Sequence, residues 1–299
     1  MADPADLESL AARLEQSGDY HILRRVPVMT RYAEDDPATL RRLGLIVDIE
    51  TTGLDPATDR IIELACLPFH FSSEGVLYDV LPGYAGFEDP GQPLHEEVVR
   101  LTGITDDQLR GQKLDDDAVT TLASPANLII AHNAAFDRCF LERRFPLFVD
   151  KPWACSVGQV PWAEEGLGSA KLDYLLSRFG FFFDDHRAMA DCRAVLHLLS
   201  LRLPRSGRPI LPLLLGTARR RTFRLWALEA PIECKDLLKE RGYRWNGGED
   251  GRPRAWYRDL DKDLLPEEER FLAEKVYDGG NCRHELIRID YSNRFSDRV

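Results

Sequence analysis

The chain has 299 residues, with 50 Asp and Glu against 39 Lys and Arg, and its formal net charge is −11 at pH 7. Apolar residues make up 44% of it, which is enough for a folded core, and no apolar run is long enough to cross a bilayer. An acidic N-terminus and six scattered cysteines without a Cys-x-x-Cys pair predict a cytoplasmic protein with reduced thiols, not a secreted or membrane protein.

The N-terminal segment, residues 1–42, carries apolar side chains at intervals typical of one or two amphipathic helices. These positions are Leu7, Leu10, Leu14, Ile22 and Leu23. We expect this helical extension to pack against the domain that follows it.

The domain predicted over residues 43–204 opens with an apolar strand that ends in two carboxylates, Asp48 and Glu50. Side chains two apart in a strand point to the same face, so this pair should project together. Carboxylates held that close repel each other unless a proton or cation lies between them. Mg²⁺ or Mn²⁺, which favour oxygen ligands, would satisfy the pair, whereas the alternative is an ordinary acidic edge facing solvent.

Two later segments add further acidic residues. A short buried strand, Leu128 to Ala131, leads through His132 and Asn133 into helical spacing that places Asp137 in a first turn. Further on, a helix without Pro or Gly carries Asp191, and His186 precedes it in a loop or first turn. An imidazole at such a place suits proton transfer, because its ordinary pKa lies near 6.5.

The ordered set Asp48, Glu50, Asp137, His186 and Asp191 resembles the DEDDh (DnaQ-like) 3′→5′ exonuclease family. The motifs that carry the resemblance are Asp-x-Glu-Thr-Thr-Gly-Leu, His-Asn-Ala-x-Phe-Asp, and a His followed five residues later by Asp. The resemblance is to exonucleases like the epsilon subunit of bacterial DNA polymerase III. It implies an α/β, ribonuclease H-like fold with a mixed five-stranded sheet flanked by helices.

The resemblance also implies a role for each site residue. The four acidic residues would hold two Mg²⁺ or Mn²⁺ ions, and His186 would be the general base. Leu54 and Phe136 would wedge against the terminal bases, and the backbone near Thr51 and Thr52 would meet the 3′-hydroxyl. The predicted substrate-binding set is Thr51, Thr52, Gly53, Leu54, His132, Asn133 and Phe136. For His132 a structural hydrogen-bonding role is favoured over direct contact, because a His at a strand-to-helix turn is more often structural.

The function predicted on this basis is hydrolysis of terminal phosphodiesters at the 3′ end of single-stranded or frayed DNA. It would release nucleoside 5′-monophosphates in proofreading or repair. Two alternatives stay open: a 3′→5′ exoribonuclease of the same fold, and a docking subunit of a polymerase or repair complex.

The C-terminal part is predicted as a linker over residues 205–218 and a small α+β domain over residues 219–299 with element order α-β-β-α-β. From Arg205 to Arg258 there are 13 basic residues against 6 acidic ones, although the whole chain is acidic. An aromatic and basic face could grip single-stranded nucleic acid. Its residues are Arg244, Trp245, Arg254, Trp256 and Tyr257. The favoured alternative is that Trp245 and Trp256 fill the core of a small domain.

Overall fold

The computed structural model describes residues 4–34, 38–184, 187–249, 251–279 and 282–299. The chain divides into two compact units, Met1–Leu215 and Gly216–Val299, and each is described by itself. Within the described ranges, every helix is too short or too polar to span a bilayer.

The first unit alternates strands and helices after a helical N-terminus. Its helices are α1 (Pro4–Ser17), α2 (Glu96–Thr102), α3 (Asp106–Leu109), α4 (Asp116–Ala123), α5 (Ala134–Arg144), α6 (Leu172–Arg178), α7 (Ala188–Ser200) and α8 (Ile210–Ala218), the last of which runs past the unit boundary. Its strands are β1 (Arg24–Arg25), β2 (Arg42–Thr51), β3 (Ile61–Phe71), β4 (Leu77–Val80), β5 (Tyr84–Phe87), β6 (Leu128–Ala131), β7 (Trp153–Cys155) and β8 (Phe181–Phe182).

The main sheet of this unit is mixed and has the order β4-β3-β2-β6-β7, with β5 sharing the outer edge of β3 beside β4. Strands β2, β3 and β4 pair antiparallel, whereas β6 and β7 run parallel to β2. The predicted mixed sheet is therefore confirmed, but it has six strands in the described part of the chain where five were expected. The sequence analysis missed β5 and β7, which are only four and three residues long.

Helices α4, α5 and α7 pack on this sheet and bury its apolar strands. Ten of the eleven residues of β3 are buried, so the strand reads as an apolar run instead of an alternating one. A β-bulge interrupts the β2–β3 ladder between Glu50 and Thr51. Bulges bend a strand and re-aim the side chains around them. Here the bulge lies directly after the acidic pair Asp48 and Glu50, where strand β2 leads into the following loop.

The N-terminal extension differs from its prediction in one respect. Among the described residues of this segment a single helix, α1, forms, but the side chains of Leu7, Leu10 and Leu14 are 55%, 50% and 39% exposed. The apolar stripe therefore exists but does not pack as expected. Helical spacing fixes which side chains share a face, and it says nothing about what covers that face.

The segment predicted as a linker is largely helical. Helix α8, Ile210–Ala218, lies within residues 205–218, and its Ile210, Leu211, Leu214 and Leu215 side chains are buried. The Pro-Arg-Ser-Gly-Arg-Pro stretch before α8 indicates a loop, but the apolar run after it forms structure of its own.

The second unit is an antiparallel sheet of order β10-β11-β9-β12 with helices. Its strands are β9 (Thr222–Ala227), β10 (Arg244–Trp245), β11 (Trp256–Asp261) and β12 (His284–Ile289), and its helices are α9 (Lys235–Glu240) and α10 (Leu265–Phe271), which continues as a π-turn over Leu272–Val276. The two predicted helices and three predicted strands are present as α9, β10, β11, α10 and β12. The predicted order α-β-β-α-β missed β9, although β9 pairs with both β11 and β12.

The two tryptophans of the predicted aromatic face have different environments. Trp256 is 7% exposed and belongs to the core cluster of this unit, as the favoured alternative has it. Trp245 is 49% exposed on strand β10, and its ring packs edge-on against Trp256 at 5.5 Å between centroids. The core interpretation therefore holds for Trp256 and not for Trp245.

Candidate active site

Strand β2 presents Asp48 and Glu50 on one face of the sheet. Asp48 pairs with Ala65 of β3 and Glu50 pairs with Glu63, so the two carboxylates are two residues apart in a regular stretch of ladder. Both side chains are half-buried, while Ile49 between them is buried in the core. The alternation of the strand thus places both carboxylates on the same side.

The parallel pairing of β6 with β2 brings the second acidic segment to this place. Leu45 pairs with Ile129, so β6 ends close to the acidic end of β2, and α5 begins at once. Asp137 lies in the first turn of α5, as predicted, and its side chain is 3% exposed. A hydrogen bond with the backbone of Ile49 ties Asp137 to β2.

Helix α7 supplies the third acidic segment. It packs across β2 and β3 and carries Asp191 in its first turn. One carboxylate oxygen each from Asp48, Glu50 and Asp191 lies within 4.8 Å of the other two. The Asp191 Oδ2 atom also accepts a hydrogen bond of 3.1 Å from the backbone N–H of Arg187. Three acidic side chains from two distant segments therefore meet, and Asp137 lies beside them.

The carboxylates at this site oppose one another's ionisation. Burial raises the pKa of Asp48 well above its usual value near 3.8, and the charges of Asp137, Asp191, Glu50 and Glu63 raise it further. Burial also raises the pKa of Asp137, with smaller contributions from Glu50 and Asp191, although backbone hydrogen bonds pull it down. Without a counter-charge the cluster therefore favours protons on some of its members.

A divalent cation fits this donor set. The ligand atoms are carboxylate oxygens, which hard cations such as Mg²⁺ and Mn²⁺ prefer, and their spacing allows one ion to contact several of them. The repulsion that raises the pKa of Asp48 and Asp137 would become attraction toward an ion bound between them. Asp48, Glu50 and Asp191 are the residues placed to hold it, with Asp137 next to them.

The predicted general base, His186, lies outside the described residues. Its role stays a prediction from the motif.

The loop after β2 is organised by Asp59, which the sequence analysis did not single out. Its carboxylate accepts hydrogen bonds from the Thr52 hydroxyl and the Asp55 N–H, both at 2.9 Å. A Cβ atom at Gly53 would lie 2.5 Å from this carboxylate, so a larger residue there would displace the Asp59 side chain from these hydrogen bonds. The Thr52 N–H donates to the Arg60 carbonyl at 2.9 Å. Both donors of Thr52 are thus used inside the loop, which speaks against their contact with a 3′-hydroxyl.

Other members of the predicted substrate-binding set divide by exposure. Leu54 is 84% exposed beside the acidic strand end, and Phe136 is half-buried with its ring 5.0 Å from that of Phe140. Thr51 is buried, and its hydroxyl donates to the Gly53 carbonyl at 2.6 Å. The Leu54 side chain can therefore contact a ligand, whereas the Thr51 hydroxyl is hydrogen-bonded within the loop.

His132 has both ring nitrogens engaged by the protein. Its Nε2 lies 2.8 Å from the Ala170 carbonyl and its Nδ1 lies 2.7 Å from the Ser156 hydroxyl. A carbonyl oxygen can only accept, so Nε2 carries the proton and Nδ1 accepts from Ser156. Burial lowers the pKa of His132 to about 4, which keeps the ring neutral at pH 7. These contacts support the structural role over contact with substrate.

Asn133 is placed for its backbone. Its φ of +83° lies in the left-handed region, directly before the first residue of α5. Asn is among the few residues apart from Gly that adopt this conformation readily. Its side chain makes no capping hydrogen bond. Asn133 therefore helps to place Asp137 through its left-handed backbone conformation.

Glu63 is a further residue at the site that the sequence analysis missed. It is 3% exposed and lies opposite Glu50 in the ladder. The signal for it in the sequence is an acidic residue inside an otherwise apolar strand, Ile61 to Phe71. A buried carboxylate needs partners, and their identity comes only from the structure.

Comparison with known proteins assigns this unit to a family. The sequence model RNase_T, described as "Exonuclease", matches residues 45–199, which is more than half of the chain. The chain therefore belongs to this exonuclease family and carries a nuclease domain. The predicted enzyme class is thereby confirmed, as is the α/β fold class with a mixed sheet flanked by helices.

Two relatives that resemble part of the chain are DNA polymerases by name. It is 30% identical over 162 residues to the DNA polymerase III PolC-type of Halalkalibacterium halodurans, which covers 52% of this chain and 11% of that protein. It is 31% identical over 176 residues to the PolC-type enzyme of Lacticaseibacillus paracasei, covering 56% and 12%. The match thus spans only about a tenth of each relative.

Solved structures give weaker likenesses. Exonuclease X in complex with 5′ overhanging duplex DNA is 21% identical with a TM-score of 0.40, covering 52% of this chain and 88% of that one. E. coli Exonuclease I in complex with a dA13 oligonucleotide is 18% identical with a TM-score of 0.46, covering 74% and 63%. At these scores neither likeness supports a statement about substrate or mechanism.

Proposed function

We propose that this chain is a metal-dependent 3′→5′ exonuclease that hydrolyses terminal phosphodiesters of DNA and releases nucleoside 5′-monophosphates. The observation that carries the proposal is the meeting of Asp48, Glu50 and Asp191 within 4.8 Å, with the buried Asp137 beside them. Acidic clusters of this kind at the end of a central strand suit phosphodiester hydrolysis, and the family membership supports the proposal.

Two Mg²⁺ or Mn²⁺ ions would be held by Asp48, Glu50, Asp137 and Asp191. When bound, such ions activate water and stabilise the charge that develops on the leaving oxygen. The chain's own contribution is a rigid set of oxygens. Strand β2 carries Asp48 and Glu50. Helix α5 carries Asp137, which is hydrogen-bonded to the backbone of Ile49, and α7 carries Asp191.

The end of the substrate would be positioned by apolar side chains. Leu54 projects from the loop after β2 and Phe136 lies on α5, next to Asp137 in sequence. Apolar and stacking contacts tolerate any base, which suits an enzyme that removes nucleotides regardless of sequence. His186 would accept the proton of the attacking water, because an imidazole titrates near neutral pH.

DNA is the substrate we favour, since the relatives at 30% and 31% identity are DNA polymerases by name. A role at primer ends in proofreading or repair, in the cytoplasm and next to a polymerase or repair protein, follows as part of the same proposal.

The test uses the purified chain with DNA and RNA oligonucleotides of matched sequence, labelled at either end. We expect 3′-labelled DNA to release labelled mononucleotide at once, and 5′-labelled DNA to give a descending ladder. Activity should require Mg²⁺ or Mn²⁺ and stop with a chelator. Faster release from RNA would replace DNA as the substrate. Early mononucleotide from the 5′ label, or internal fragments, would overturn the proposed direction.

A further inference from the structure

Glu63 is a buried carboxylate next to the metal-binding cluster, but its oxygens point elsewhere. Oε1 lies 3.3 Å from the Arg187 guanidinium, and Oε2 accepts a hydrogen bond of 3.3 Å from the Ala188 N–H. Ala188 is the first residue of α7, so this carboxylate holds the start of the helix. An ionised group at a helix N-terminus is favoured by the unpaired N–H groups there. Both oxygens thus face the start of α7, and among the described residues Glu63 is not one of the acids whose oxygens lie within 4.8 Å of one another.

Arg187 connects Glu63 with Asp191. Its guanidinium reaches Glu63 and also lies over the ring of Phe87, 5.6 Å from the ring centre. Its backbone N–H donates to Asp191 Oδ2 at 3.1 Å. A single residue therefore contacts the buried carboxylate with its side chain and the cluster carboxylate with its backbone. The Arg187 side chain is 51% exposed, so it can be changed without opening the core.

We propose that Glu63 is a positioning residue that acts through Arg187 and the start of α7 on Asp191, and thereby sets the affinity of the site for divalent ions. This inference rests on the proposed metal-dependent function. Strand β3 holds Glu63 opposite Glu50. Through Glu63, the start of α7 is therefore held in position relative to the ladder that carries Asp48 and Glu50. Outer groups that orient metal ligands typically change affinity by about 10–100-fold when they are removed.

The experiment measures Mn²⁺ binding to the full chain by electron paramagnetic resonance, without nucleic acid. Glu63→Gln keeps the shape but removes the charge, and Arg187→Gln breaks the link from its exposed side. We expect each substitution to weaken Mn²⁺ binding about 10-fold. The affinity of Arg187→Lys should lie between those of the wild type and Arg187→Gln. In nuclease assays the loss of activity in these variants should become smaller at saturating Mn²⁺. The matched control is Arg31→Gln, which breaks the Arg31–Asp79 pair (2.9 Å) at a similar exposure of 49% and should leave Mn²⁺ binding unchanged.

Unchanged Mn²⁺ binding in Arg187→Gln would overturn the inference even if Glu63→Gln failed to fold. A fall in melting temperature without weaker Mn²⁺ binding would do the same, because it would leave Glu63 a purely structural role. Asp48→Asn separates this result from the proposed function itself. If the wild-type chain bound no Mn²⁺, or if Asp48→Asn bound it equally well, the metal-dependent mechanism would fail as well.

Discussion

Two carboxylates, one from each unit of this chain, have opposite surroundings. Residues 216–299 carry 18 Lys and Arg against 17 Asp and Glu, whereas residues 1–215 carry 21 against 33. In the small unit the buried Glu268 accepts hydrogen bonds from both Arg241 and Arg258, at distances of 3.1 and 2.8 Å. In the large unit Asp48 is surrounded by other acids.

This difference separates structural carboxylates from functional ones. A carboxylate that accepts hydrogen bonds from arginines has its charge compensated by the protein itself. A cluster of carboxylates that raise one another's pKa costs stability, and it is useful when a cation completes it. Glu63 shows both features, since it pairs with Arg187 and lies beside the cluster.

The largest effect is expected for Asp48→Asn. Activity should fall by more than about 100-fold, beyond the range typical of residues that only orient ligands. The pKa of Asp48 is raised in the folded protein, so its ionisation costs stability as the pH rises through that raised value. In chelator at neutral pH the variant should therefore melt at a higher temperature than the wild type, and the difference should shrink toward pH 4. A lower melting temperature at neutral pH would contradict this account of the cluster.

A pair of substitutions tests the core of the small unit. Trp256→Ala removes a buried ring and should cost about 3–5 kcal/mol of unfolding free energy. Trp245→Ala removes a ring that is 49% exposed and should cost less than about 1 kcal/mol. Urea unfolding followed by circular dichroism measures both. Equal losses would mean that Trp245 belongs to the core after all.

His132 should give the protein an acid-labile contribution to stability. Its pKa is lowered to about 4 from an ordinary value near 6.5, so the folded state resists protonation. The contribution is fully present above about pH 6.5 and is lost as the pH falls toward 4, by up to about 3 kcal/mol. The difference in unfolding free energy between wild type and His132→Gln isolates it from the carboxylates. A difference that does not vary between pH 7 and 4 would refute it.

The smallest effect is expected for Leu54→Ala. Because the side chain is 84% exposed, stability should not change. If Leu54 touches the terminal base, kcat/KM on single-stranded DNA should fall about 5-fold, equivalent to about 1 kcal/mol. Val76→Ala, at an exposed position on another loop, is the control. Equal values for Leu54→Ala and the wild type would remove Leu54 from the substrate-binding set.

The sequence predicted local features of the site well. The placement of Asp48 and Glu50 on one face follows from the alternation of one strand, and the placement of Asp137 in a first turn and of Asp191 on a helix follows from helical spacing. That these segments meet came from the resemblance to the exonuclease family, because strand register between β2 and β6 depends on contacts about 84 residues apart.

The features that were missed depend on distant partners or on short strands. Glu63 and Arg187 are 124 residues apart, so no local pattern reveals that one neutralises the other. Strand β7 has three residues, too few for a period to show. The exposure of Leu7, Leu10 and Leu14 is a matter of what covers a face, which spacing does not encode.

The left-handed backbone at Asn133 restricts how this position can vary among relatives. Glycine should substitute without loss, because it adopts that conformation freely. A β-branched residue would have to shift the start of α5, and Asp137 would move with it. Substitution at position 133 is therefore limited to very few residue types, whether or not the Asn133 side chain contacts a nucleotide.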